Sequence, residues 1–436
     1  MLFHTWIFFV FFAVAYAVYL PLRRTRWMPH WLLISSYVFY GWWEPLYLLL
    51  IVYSTALDFF VVRAMDGGGR RKLWLACSVV NNLLLLGFFK YAGFVTGNLN
   101  ALLAWLDVNY ALPAPGVLLP VGISFYTFQS MSYTIDHYRG LIPRERSFIR
   151  FAAFVALFPQ LVAGPIERAK NLLGQLHARP QISWQNVTDG ASLFLVGLFK
   201  KVAIADYLAL YVDRVYADPA GQNSAALALA TFAFGWQIYC DFSGYTDMAR
   251  GVARMMGFRL MLNFHNPYLA TSLKDFWGRW HISLSTWFRD YVYIPLGGNR
   301  HGAACTYRNM FLTMVISGLW HGPGWTFVTW GAVHALGRFA TRGLEQTAFY
   351  RDRVPKIVKQ LGVFAFVTLA WVFFRAESVE GVKAVLGGMF SFRGGDPRFP
   401  LLMLALCLGV WAYQFAFESR LRRVLEHPAV RVALAL

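Results

Sequence analysis

One histidine of this sequence lies inside an apolar stretch, where ionisable side chains are rare. His321 belongs to the segment SGLWHGPGW within residues 309–337, a run that contains no Asp, Glu, Lys or Arg. An imidazole at membrane depth is a candidate functional group, and its ordinary pKa of about 6.5 lets it take and return a proton near neutrality. The alternative is a structural histidine that bonds a neighbouring helix.

The residues after His321 interrupt the helical pattern. Gly322-Pro323-Gly324 follow at once; proline removes a backbone donor and the glycines free the chain. We expect two half-helices that meet at this break and hold the imidazole beside a cavity rather than lipid. His334, further along the same run, is predicted to be structural.

A second histidine lies in a polar and cationic setting. His281 belongs to RWHISLSTW, and its neighbours are Arg279, Ser283, Ser285 and Arg289. Together these side chains would form a pocket for a phosphate-bearing donor or an oxyanion. The sequence supports equally well a histidine that caps or anchors an interfacial helix.

The composition places both histidines in a membrane protein. The 436 residues are 58% apolar, 18% aromatic and only 14% charged, against about 25% charged in soluble domains. Disordered, fibrous and water-soluble classes are therefore excluded. The net charge of +18 comes from short basic loops that set topology, so no nucleic-acid partner is expected. No metal motif is present and the four cysteines lie far apart, so we expect neither a metal nor a disulfide.

Apolar runs predict an all-α polytopic protein with about eleven passes, several of them short, kinked or re-entrant. The runs are 1–22, 31–43, 45–62, 73–89, 108–135, 151–166, 190–215, 219–240, 309–337, 360–374 and 399–417. Basic residues follow the first run instead of preceding it, so it should remain as a helix with a periplasmic N-terminus. The helix of 108–135 should begin near Pro120 and face the protein interior or a wet cavity, because it is polar.

Residues 241–308 break this pattern with frequent charges, many aromatic residues and no clean span. Such a density of Trp and Tyr predicts an interfacial or re-entrant segment of amphipathic helices, the alternative being a structural belt at the headgroups. At the other end, the chain stops on the apolar run VALAL soon after its last span. The completeness of the C-terminus therefore stays open.

Several blocks resemble the membrane-bound O-acyltransferase family, most closely its bacterial branch of alginate, peptidoglycan and cellulose O-acetyltransferases. They are SFYTFQSMSYTIDHYRG (124–140), FPQLVAGPIERA (158–169), DFSGYTDMARG (241–251), WHISLSTWFRDYVYIPLGGNR (280–300) and GLWHG (318–322). The similarity extends from about residue 30 to residue 375. It implies one integral-membrane domain over residues 1–436, a ring of about eleven helices around a funnel, with re-entrant pieces.

The resemblance also implies an activity. An acyl thioester, expected to be acetyl-CoA, would be used from the cytoplasmic side of the inner membrane to O-acetylate a cell-envelope or extracellular polysaccharide such as alginate. His321 matches the principal catalytic histidine, which deprotonates the hydroxyl or briefly carries the acyl group. His281 matches the second active-site position. A periplasmic esterase-like partner, polysaccharide-assembly proteins and no bound cofactor are further expectations.

On this interpretation, polar side chains at the cytoplasmic mouth contact the donor, and arginines suit its diphosphate as bidentate donors. The predicted substrate and donor set is Trp280, Arg279, Ser285, Arg289, Asn299, Trp320, Asp241 and Tyr245. Arg300 is also available at this mouth. Asp241, Tyr245 and Asp247 would orient a histidine or cap a helix.

Two other interpretations stay open at this stage. A transporter would fit the broken helices, but it predicts two related halves with paired interruptions, which are not visible. D-alanyl transfer to teichoic acid, like lipid and sterol acylation, uses the same histidine motifs. The basic, glycine-rich loops and LGGNR favour the polysaccharide branch by resemblance only.

Overall fold

Every regular element in the computed structural model is helical over the residues it describes, which are 1–178, 180–425, 427, 429, 430 and 433. These residues form two compact units. The first contains residues 1–191 and 249–261, and the second contains residues 192–248 and 262–436. An all-helical chain with several apolar helices is therefore confirmed.

The first unit is built from short and long helices that begin near the N-terminus. They are α1 (Trp6–Leu22), α2 (Met28–Gly41), α3 (Leu48–Asp66), α4 (Arg71–Trp105), α5 (Ile123–Tyr138), α6 (Phe148–Ala156), α7 (Phe158–Leu161), α8 (Ala169–Ala178) and the first part of α9 (Trp184–Phe199). The chain is irregular from residue 107 to the turn before Ile123, so the start predicted near Pro120 is confirmed. Most polar side chains of α5 are buried in the protein, as its polarity predicts.

The second unit carries most of α11 (Ser224–Met255), whose last residues belong to the first unit. Its other helices are α10 (Asp206–Ala217), α12 (Leu273–Arg279), α13 (Ile282–Phe288), α14 (Gly302–His321), α15 (Trp325–Leu344), α16 (Lys356–Arg375), α17 (Val379–Met389), α18 (Leu401–Phe417) and α19 (Arg422–Leu425). Buried tryptophans form the centre of its core: Trp236, Trp280, Trp330 and Trp371. These rings join α11, α15 and α16 to the corner between α12 and α13.

The pattern of apolar runs and the observed helices differ in several places. Four helices of the described ranges are long and apolar enough to cross a membrane, Pro45–Asp66, Arg71–Trp105, Ser224–Met255 and Lys356–Arg375, and two shorter apolar helices are Trp6–Leu22 and Leu401–Phe417. The count of about eleven passes is therefore not confirmed. Helix α4 continues well past the run 73–89, and α11 passes through 241–255, because helices tolerate charges that end an apolar run.

The break after His321 is confirmed, although its shape differs from the expectation. Instead of two half-helices, α14 and α15 are two helices of 20 residues each that pack against one another as a hairpin. Two glycines allow the close approach. A Cβ on Gly318 would lie 2.1 Å from the carbonyl oxygen of Phe327, and one on Gly331 would lie 2.3 Å from that of Met314.

In the first unit, the segment between α7 and α8 carries a buried carboxyl group. Glu167 is fully buried, and its oxygens accept hydrogen bonds from the backbone N–H of Met261 and from the Asn171 amide. Burial raises the pKa of Glu167 from 4.5 to about 7. Between pH 4.5 and about 7, Glu167 is therefore protonated in the folded chain and ionised in the unfolded chain.

We expect the unfolding temperature to fall as the pH rises from about 4.5 to 7, because the unfolded state binds fewer protons there. Glu167→Gln should flatten this part of the profile, since its amide does not titrate. The measurement is thermal unfolding in detergent at a series of pH values, with the exposed Glu377→Gln as control. A profile that keeps its slope in Glu167→Gln would assign the slope to another group.

Candidate active site

His321 is the last residue of α14 and is half-buried. Its ring centroid lies 5.3 Å from that of Trp330 on α15 and 5.2 Å from that of Phe374 on α16. The chain turns sharply after it, because Gly322 is extended and a Cβ there would lie 2.1 Å from the Phe327 ring. The imidazole is thus held at a helix end between aromatic rings of three helices.

His281 lies at the two-residue corner between α12 and α13. Its backbone is in the left-handed region, with φ of 42°, and the residue is only 2% exposed. The ring meets Phe242 of α11 edge to face, with centroids 4.6 Å apart. A non-glycine residue in this conformation costs about 1–3 kcal/mol and persists where its surroundings fix it, as they often do at active sites.

Asn263 supplies the acceptors that fix this corner. The Ile282 amide N–H donates to the Asn263 carbonyl oxygen at 2.9 Å, and the Ser283 amide N–H donates to its side-chain Oδ1 at 3.1 Å. The His281 side chain makes no cap bond to α13, so Asn263 caps this helix from another segment. Asn263 is fully buried, and it was missed by sequence reasoning.

Removing this cap should displace His281. We expect Asn263→Leu to lower the activity of this site by roughly tenfold, because the Ser283 N–H of α13 loses its side-chain acceptor at a cost of about 1 kcal/mol. Asn263→Asp should retain most activity, since a carboxylate is also a good acceptor at a helix N-terminus. The initial rates of both purified variants, with matched unfolding temperatures, check this; equal rates would show that the cap does not position His281.

Trp320 brings the two histidines into one site. Its ring centroid lies 5.1 Å from that of His321, its neighbour in the chain, and 6.4 Å from that of His281. The second unit therefore assembles His281, Trp320 and His321, which were predicted from separate blocks of the sequence.

Trp280, the residue before His281, is buried and is not exposed to a solvent channel. Its ring packs at 5.0 Å from both Phe264 and Trp371. Phe242 and Phe374 complete the aromatic walls of the two histidines. Their spacing in the sequence does not distinguish these rings from ordinary core residues. His334 is fully buried among Trp277, Trp330 and Phe366.

The predicted acidic residues of α11 are bound to lysines. Asp241 is half-exposed and lies 2.5 Å from Lys201, which also pairs with Asp206 at 2.9 Å. Asp247 lies 2.7 Å from Lys200. Both lysines belong to a π-helical segment, Lys200–Ala205, and Tyr245 lies on α11 between the two acids. In this structure Asp241 therefore contacts a lysine and not a histidine.

The predicted cationic residues are also engaged. Arg279 donates to Asp275 at 2.7 Å and to Glu418, and Arg289 pairs with its neighbour Asp290 at 2.8 Å. Ser285 donates its hydroxyl to the Trp280 carbonyl oxygen at 3.0 Å, and Asn299 is exposed in a turn. Donor binding by these side chains stays a prediction.

Comparison with known proteins identifies the chemistry of this chain's relatives. The sequence model described as MBOAT, the membrane-bound O-acyltransferase family, matches residues 137–379. The matched range contains both histidines and Trp320.

Individual relatives are similar over most of their length. The chain is 44% identical over 365 residues to a probable alginate O-acetylase, AlgI, of Pseudomonas aeruginosa, covering 83% of this chain and 69% of the relative. It is 35% identical over 429 residues to a peptidoglycan O-acetyltransferase of Helicobacter pylori, covering 90% and 80%. A teichoic acid D-alanyltransferase of Bacillus subtilis is 29% identical over 238 residues, 51% of this chain and 59% of the relative.

Proposed function

Because the chain belongs to the membrane-bound O-acyltransferase family and is an O-acyltransferase, we propose that it moves an acetyl group from acetyl-CoA to hydroxyl groups of a cell-envelope or extracellular polysaccharide such as alginate. The observation that carries the proposal is the pairing of His281 and His321 around Trp320. The names of its relatives, an alginate and a peptidoglycan acetylating enzyme, support the polysaccharide class.

In the proposed reaction His321 is the general base. Its imidazole accepts the proton of the attacking hydroxyl, and the oxygen adds to the thioester carbonyl. The C–S bond then breaks, the leaving thiolate takes the proton back from His321, and an ester and free coenzyme A result. His281 and Trp320 would border the reacting carbonyl, while Arg279 and Arg289 would have to leave their present partners to contact the donor.

The proposed setting follows the same family. About eleven passes with re-entrant pieces would cross the bacterial inner membrane, with the N-terminus in the periplasm and the donor entering from the cytoplasm. The basic residues that follow α1, Arg23, Arg24 and Arg26, support this orientation. An esterase-like periplasmic partner would receive the acetyl group when the polymer cannot reach the site.

The proposal is tested with the full chain in proteoliposomes that receive [¹⁴C]acetyl-CoA on one side. Parallel samples receive [¹⁴C]acetyl-CoA on the cytoplasmic or on the periplasmic face. Label is then measured in the protein and in two added acceptors, which are alginate and peptidoglycan fragments. We expect label in a polysaccharide acceptor only when the donor is on the cytoplasmic face.

Other results would assign another function. Transfer from a D-alanyl carrier protein without transfer from acetyl-CoA would place the chain with the teichoic acid enzymes. Uptake of an intact solute without any ester product would favour a transporter. Either result, obtained with folded protein, overturns the proposed acetyl transfer.

A further inference from the structure

The first unit contains a buried carboxylate that the proposed reaction does not use. Asp58 lies on α3, inside the apolar span Pro45–Asp66, and has 0% exposure. A charged side chain at such a position is costly, and it marks a functional site unless a partner neutralises it.

The partners of Asp58 are neutral. Ser78 on α4 donates to its Oδ1 at 2.5 Å, Asn82 donates from Nδ2 to both carboxylate oxygens, and Ser130 on α5 donates to its Oδ2. Thr134, one turn further along α5, donates to the Ser130 carbonyl oxygen at 3.5 Å. Within the described part of the chain no cation is among these partners.

Charged groups on the three helices lie further along them, at a distance from Asp58. On α4, Lys90 lies 90 − 82 = 8 residues beyond Asn82, or about 12 Å along the helix axis, and contacts Ser124 at 3.4 Å. On α3, Arg63 is exposed. Asp66, at the end of α3, pairs with His137 at 3.0 Å and Arg144 at 3.3 Å.

Further buried oxygens extend this group toward the start of α3. Ser54 donates to the Asn82 Oδ1 at 2.9 Å. Thr55 and Thr127 are 1% and 0% exposed, and neither hydroxyl has a hydrogen-bond partner. The contacts Asp58–Ser130 and Asp66–His137 show that α3 and α5 run parallel, so Thr55 and Thr127 lie one turn from the carboxylate on its own side of both helices.

We propose that these residues bind one sodium ion between α3, α4 and α5. The group has a single negative charge and a shell of hydroxyl and amide oxygens, which suits a small monovalent cation. Divalent ions recruit several carboxylates, and transition metals prefer nitrogen or sulfur ligands. Neutral donors bond the carboxylate oxygens but leave the negative charge of Asp58 uncompensated, and a bound cation would compensate it.

The test uses the full chain in lipid nanodiscs at constant pH. Binding of ²²Na⁺ is measured directly, and thermal unfolding is compared in sodium chloride and N-methyl-D-glucamine chloride of equal ionic strength. We expect saturable binding of one ion and a higher unfolding temperature in sodium, because a ligand that binds only the folded state stabilises it. Asp58→Asn should lose both effects, whereas Asp66→Asn, at the end of the same helix, should keep them.

Several results would overturn the proposal. One is wild-type protein that binds no ²²Na⁺, and another is Asp58→Asn that binds as tightly as wild type. Stability that depends on pH but not on sodium would assign the positive charge at Asp58 to a proton instead. Should Asp58→Asn fail to fold, Thr55→Val and Thr127→Val serve as milder variants; each is expected to raise the half-saturating sodium concentration by roughly tenfold, and unchanged values would contradict the site.

Discussion

His321→Ala should abolish measurable acyl transfer while the protein still inserts and folds. A general base contributes roughly 10²–10⁴ to the rate, and the alanine leaves no group at the end of α14 to accept the hydroxyl proton. Folding should survive, because the imidazole is only half-buried and packs at the edge of the aromatic core rather than within it. His321→Gln, which keeps a polar side chain of similar length without a titrating group, should be equally inactive.

The measurement is label transfer from [¹⁴C]acetyl-CoA at matched protein amounts, beside circular dichroism and thermal unfolding of each variant. His265→Ala is the matched control, because this histidine is exposed in the loop before α12. If His321→Ala is unfolded while His321→Gln is active, His321 is a structural residue and not the base. Folded variants that transfer at the wild-type rate would place the base elsewhere.

The location of His321 was predictable because its signals are local. An ionisable residue within a charge-free run, followed by Gly-Pro-Gly, requires a chain break beside an imidazole whatever the rest of the protein does. The hairpin that follows was not predictable from the same residues. It depends on Gly318 and Gly331 facing the opposite helix at backbone distance, which is a property of tertiary packing.

The environment of His281 depends on contacts that its neighbours in the sequence do not reveal. The sequence predicts that Arg279 binds a phosphate, yet its guanidinium contacts Asp275 and Glu418. Asp275 is four residues away and follows from helical spacing, whereas Glu418 lies just after α18, far away in the sequence. Asn263 was missed for the same reason, since its role as a cap depends on a long-range contact with α13.

The number of membrane passes was the weakest part of the sequence prediction. The predicted run 219–240 ended before the charge of Asp241, although α11 continues through Asp241 and Asp247, because lysines of the same unit pair with both acids. Runs such as 151–166 divide in the structure into α6 and the single turn of α7. Hydropathy records neither the pairing of charges nor a change of chain direction.

Gly331→Ala should cause a large loss of stability in the second unit. The new Cβ would lie 2.3 Å from the Met314 carbonyl oxygen and 2.9 Å from the Val315 Cα, both of them backbone atoms that cannot rotate away. Helices α14 and α15 must therefore separate, at a cost of about 1–3 kcal/mol. Since α14 ends at His321 and Trp330 precedes Gly331, the separation should also lower acyl transfer, by roughly 10²-fold for a displacement near 1 Å.

Gly343→Ala on the same helix isolates the packing effect from helix propensity. Nothing lies within 4 Å of a Cβ at Gly343, so this change should be neutral or stabilise the protein by up to about 1 kcal/mol, because alanine favours a helix over glycine. Thermal unfolding of the two variants in nanodiscs, and their transfer rates at a temperature where both are folded, make the comparison. Equal unfolding temperatures would mean that α14 and α15 can move apart freely, and His321 would then owe its position to Trp330 and Phe374 rather than to the glycine contact.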